Sequence, residues 1–65
     1  MTRPARYLTR KLTRPDTWSE PETASRRDAL RQLARHYFDP ETTLRESSEA
    51  NPARTPWAIF WRIEP

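Results

Sequence analysis

A chain of 65 residues without cysteine has room for one small domain, which buries roughly 60% of its unfolded surface. It can form neither a disulfide nor a thiolate metal site. No run approaches the roughly 18 apolar residues of a membrane span, and the basic start lacks the apolar core of a secretory signal, so the expected location is cytoplasmic. The net charge of +3 is unevenly spread: residues 1–14 hold Arg3, Arg6, Arg10, Lys11 and Arg14 with no acid, residues 15–38 are neutral, and residues 39–65 carry five acids against three arginines.

Residues 1–4 read as a flexible tail and residues 5–65 as a single small domain. Residues 5–13 predict a strand, with Leu8, Arg10 and Leu12 on one face and Tyr7, Thr9 and Lys11 on the other. Its positive charge suits a sheet edge, where charge discourages association with other edges. Arg14-Pro15-Asp16 ends it. Residues 15–22 predict a loop or the approach to a helix. Trp18 within them is expected to fold back as a lid over an open core edge, with an exposed binding anchor as the alternative.

Two capping boxes precede the helix, Ser19-Glu20-Pro21-Glu22 and Ser25-Arg26-Arg27-Asp28. The later one better frames the stripe of Leu30, Leu33, Ala34 and Tyr37, with Phe38 at its margin. Asp28 to Arg31 and Arg35 to Asp39 have supportive spacings. Pro40 is expected to stop the helix, because the residue before a proline avoids the helical region. Residues 41–48 alternate as a polar strand. The alternative is a short second helix capped by Asp39. Residues 49–56 predict a connecting loop, with Asn51 as the candidate for a left-handed position. Residues 57–63 then alternate with period two, and Trp57, Ile59, Trp61 and Ile63 are expected to face the helix while Ala58, Phe60 and Arg62 face away. The predicted fold is α+β: a small antiparallel three-stranded sheet packed on one helix, in the order β-α-β-β.

The chain has no glycine, which excludes a P-loop, a dinucleotide fingerprint and a glycine-rich RNA-binding signature. His36, the single histidine, reads as a solvated residue in the last helical turn. The pairs Glu20/Glu22 and Glu46/Glu49 lack an apolar frame to raise a carboxyl pKa, and no serine or threonine has an evident base. The expectation is therefore a protein that is not an enzyme, with no catalytic residues, cofactor or metal.

Binding is the better candidate. Arg6, Arg10, Lys11 and Arg14 suit contacts to phosphate or carboxylate, and Arg26 and Arg27 extend that surface if they lie nearby. Phe60 and Arg62, on the sheet face away from the helix, and Trp18 suit a stacking or protein-interface surface. The first reading is a small non-catalytic regulator or inhibitor that occupies a surface on a larger protein partner. The alternative is a small basic nucleic-acid-binding protein that uses the arginine-rich first strand. A homodimer that buries both open sheets is a further option, and no membrane partner is expected.

Overall fold

The computed structural model describes residues 6–63, so the expected tail at 1–4 lies outside the described residues. Within them the order is β1 (Arg6–Arg14), β2 (Thr17–Trp18), β3 (Glu22–Ala24), α1 (Arg26–Leu33), α2 (Pro40–Arg45), β4 (Ala53–Arg54) and β5 (Ala58–Ile63). The fold is α+β with an antiparallel sheet, as expected. The predicted three strands and single helix are corrected to five strands and two helices among these residues.

β1 is not an edge strand. It pairs antiparallel with β5 along six positions, from Arg6↔Ile63 to Lys11↔Ala58. Its other side is shared by β3, through Tyr7↔Ala24 to Thr9↔Glu22, and by β2, through Leu12↔Trp18 and Arg14↔Thr17. The length of β1 allows this, since two short strands fit end to end along one side of it. Its charges are tolerated in a central position because Arg6 and Arg10 alternate onto a face that carries no helix. Pro15 and Asp16 do end β1, but as a turn that reverses the chain into β2. The predicted loop at 15–22 therefore contains strand residues. β4 pairs with β5 through Ala53↔Phe60 and Arg54↔Ile59, inside the segment predicted as a plain connecting loop.

The first helix starts where its later capping box places it. Ser25 is the N-cap and its side chain accepts from the Asp28 amide at 3.1 Å. Its α-helical run ends a turn early, at Leu33, and residues 34–36 continue as turns. The Tyr37 ring is thereby held against the core, and its hydroxyl accepts from the Arg54 amide at 2.9 Å. Residues 40–45 are helical rather than extended. Asp39 accepts from the Thr42 amide at 3.2 Å and from the Thr42 hydroxyl at 2.7 Å, and Pro40 occupies the first turn, a position where its missing N–H costs nothing. This cap outweighs the polar alternation, and it turns Leu44 into the core at 1% exposure.

The core joins Ala29 and Leu33 of α1, Leu44 of α2, Ala53 of β4, and Ala58 and Phe60 of β5. This reverses the predicted facing of β5. Ala58, Phe60 and Arg62 lie on the helix side, whereas Ile59, Trp61 and Ile63 share the opposite face with their β1 partners Leu8, Arg10 and Arg6. Size explains the reversal. Alanines at 24, 29, 53 and 58 bring helices and sheet close together, leaving room for one Phe60 ring. Two indoles would hold those layers apart. Trp57 precedes the strand and is 71% exposed.

No described residue has a positive φ, so Asn51 does not adopt the expected left-handed conformation. Its turn is closed instead by Ser48, which exchanges backbone hydrogen bonds of 3.1 Å with Asn51 and accepts from the Asn51 amide through its hydroxyl. Among the described residues, no helix is long and apolar enough to cross a membrane.

Candidate functional site

Both helices pack on one side of the sheet, which leaves the other side without a helix. Strand alternation and register assemble that surface from five strands. β1 contributes Arg6, Leu8, Arg10 and Leu12; β5 contributes Ile59, Trp61 and Ile63; β2 adds Trp18 beside Leu12; β3 adds Thr23 beside Leu8; β4 adds Arg54 beside Ile59. Leu8, Leu12, Trp18, Ile59 and Ile63 are half-buried, and Trp61 in their midst is 5% exposed. Arg6 and Arg54 are exposed at its margins. Among the described residues no acid occupies a paired position on this face, because Glu22 lies opposite Thr9 and so belongs to the helix side.

Arg10 is partly committed. Its Nε donates to the Ser19 carbonyl at 2.9 Å, and Ser19 also bonds both the amide and the carbonyl of Lys11. These bonds tie the chain after Trp18 to β1 and hold that indole next to Leu12. Trp18 is thus a half-buried member of the sheet surface, between the expected lid and the expected free anchor.

The surface ends in a cleft. Leu12, Thr13, Arg14, Pro15 and Trp57 border an open, largely apolar space of about 340 Å³. The Leu12 amide donates to the Trp57 carbonyl at 2.8 Å, fixing the end of β5 against β1. Thr55 steadies the same bend: its hydroxyl donates to the Ala58 carbonyl and accepts from the amides of Trp57 and Ala58. An exposed indole on a backbone held this firmly is the kind of rigid aromatic that anchors interfaces. Phe38, in the link between α1 and α2, is also fully exposed.

The basic residues singled out by sequence do not form one stripe. Arg6 and Arg10 share the open face, Lys11 alternates to the other side of β1, and Arg14 lies at the turn beside the apolar cleft. Arg26 and Arg27 are in the first turn of α1, in the helix layer, so they do not extend the surface of Arg6 and Arg10. Phe60 is corrected from an exposed contact to a core residue, 1% exposed. Arg62 is on the helix side too, and its amide donates to the buried Ser47 hydroxyl at 3.0 Å. His36 and both expected carboxylate pairs are exposed.

Leu8, Leu12, Ile59 and Ile63 were visible in the sequence as alternating apolar positions, but their pattern alone does not tell which face the helices take. Arg54 gave no local signal, because only pairing with β5 places it there. Compared with known proteins, the chain matches no family model, no curated protein and no solved structure.

Proposed function

We propose that the protein is a small binding regulator that occupies a surface on a larger protein partner through the helix-free face of its sheet. The observation that carries this reading is the character of that face: aliphatic residues around Trp61, arginines at its margins, no carboxylate at a paired position, and an exposed Trp57 beside an apolar cleft. Aromatic and arginine anchors around an apolar centre are typical of protein interfaces. The fitting partner presents an apolar patch with acidic residues near its rim.

Two features weigh against the other occupants. A base-stacking platform needs a row of exposed aromatic faces, whereas on this face Trp61 is 5% exposed and Trp18 half-buried, which leaves the single exposed indole of Trp57 at its end. A two-fold homodimer through this face would bring together two copies of Arg6, Arg10 and Arg54, with no acid at a paired position among the described residues to offset them.

The test is capture from native extract with and without nuclease, comparing the wild type with Ile59→Arg and Trp57→Ala, each checked for folding by circular dichroism. The expected result is a nuclease-resistant partner that both substitutions release. Loss of the partner on nuclease treatment, together with direct RNA or DNA binding that falls steeply with salt, would move the assignment to the nucleic-acid reading.

A further inference from the structure

A second cleft opens on the helix side, between the sheet and both helices, with a volume of about 170 Å³. Its polar lining is Tyr7 of β1, Arg26 of α1, Glu41 and Arg45 of α2, and Arg62 of β5, beside the buried Leu44. Three guanidinium groups from three separate elements thus border one small space with a single carboxylate. Nothing in the sequence spacing joins positions 26, 45 and 62; the fold brings them together.

The contacts of Arg26 and Arg45 are loose. Arg26 meets Glu41 through one contact of 3.2 Å, with both side chains more than half exposed. An ion pair that open contributes little and exchanges readily. Arg45 donates to the Thr42 hydroxyl only at 3.5 Å, the outer limit of a hydrogen bond. Arg26 is also the first residue of α1, where the helix dipole disfavours a cation and favours an anion.

We infer that this cleft binds a small divalent oxyanion, a phosphate group, between Arg26, Arg45 and Arg62. Guanidinium groups approaching from three elements suit a tetrahedral anion with several acceptor oxygens better than a planar carboxylate, which one arginine fork satisfies. The Tyr7 hydroxyl adds a neutral donor. The volume is below the roughly 300 Å³ of ordinary small-molecule pockets, so the cleft takes the anion itself or the phosphate end of a larger ligand. This site is separate from the helix-free sheet face and does not depend on the protein-binding reading.

Inorganic phosphate is the probe, titrated into the full chain at fixed ionic strength while the arginine Nε–H signals are followed by NMR. The expected result is saturable movement of the Arg26, Arg45 and Arg62 signals. Arg45→Gln should weaken binding about tenfold, the loss of one charge-assisted contact. Glu41→Gln should tighten it, because it removes the competing carboxylate from Arg26. Both positions are exposed, so both variants should keep the wild-type circular dichroism spectrum. Ile59→Arg, on the far side of the sheet, should bind phosphate normally. A response that fails to saturate, an affinity indifferent to both Arg45→Gln and Glu41→Gln, or equal affinity for succinate would overturn the assignment.

Discussion

Thr9 is 3% exposed on the helix side of β1, opposite Phe60, and its hydroxyl has no hydrogen-bond partner among the described residues. A buried, unpaired hydroxyl costs on the order of 1–3 kcal/mol. Thr9→Val keeps the branched shape and removes that group, so it should raise the melting temperature. For a domain of this size each kcal/mol corresponds to roughly 4–8 °C, and an unchanged or lower midpoint in thermal unfolding would refute the argument. Ser47 shows the opposite situation. Its buried hydroxyl donates to the Leu44 carbonyl and accepts from the Arg62 amide, so it joins the end of α2 to β5. Two similar polar side chains are thus a weakness in one place and a connector in the other, and the difference lies wholly in what surrounds them.

At the scale of elements, both helices are too short to persist alone and depend on their caps and their buried faces. Two aspartates have pKa values below the ordinary 3.8. For Asp28 the main cause is the hydrogen bond from Arg31, followed by one with Ser25; for Asp39 it is the Thr42 hydroxyl, followed by the Thr42 amide. A carboxyl with a depressed native pKa stabilises the folded state above its unfolded value, and that contribution is lost as pH falls through the native value. Helicity should therefore hold above the ordinary aspartate pKa and fall progressively below it. Asp39→Asn, which keeps an N-cap side chain without the titrating charge, should flatten part of that loss. Circular dichroism across an acid titration reads this directly, and identical curves for wild type and Asp39→Asn would show that the Asp39 charge does not matter. The early end of α1 belongs to this scale as well. The Tyr37 hydroxyl reaches the Arg54 amide, and the chain between Leu33 and Asp39 leaves the helix to place it, which turns Phe38 into solvent.

For the whole molecule, the placement of aromatic residues separates stability from binding. Phe60 is the largest fully buried side chain among the described residues, and it belongs to one core cluster with residues from both helices and β4. Truncating a buried phenylalanine costs about 3–5 kcal/mol, and a chain of this length has total stability of about 3–10 kcal/mol at roughly 0.05–0.15 kcal/mol per residue. Phe60→Ala should therefore remove a large share of that stability, and the thermal midpoint should fall by more than about 10 °C. Trp57→Ala removes a larger ring that is mostly in solvent and should leave the melting temperature nearly unchanged while weakening partner capture. A strong loss of stability in Trp57→Ala would mean that the exposed indole is a structural strut rather than an anchor.

Local chemistry determined much of this protein without help from the rest of the chain. Ser25 and Asp28 start the first helix, Pro15 and Asp16 turn the chain after β1, and alternation makes residues 58–63 extended. An α+β class with antiparallel pairing follows from those elements. The sequence also contains the Asp39-Pro40 signal of a second helix, but alternation in the next eight residues favoured a strand, and only the burial of Leu44 against α1 and the sheet overturns that preference. The tertiary structure alone decided which face of β5 meets the helices, and with it which residues are available to a partner. A strand with apolar side chains on both faces encodes its conformation by period, but the choice of face rests on volume. Ala24, Ala29, Ala53 and Ala58 close the gap around Phe60, and the indoles, too large for that gap, are left to the other side.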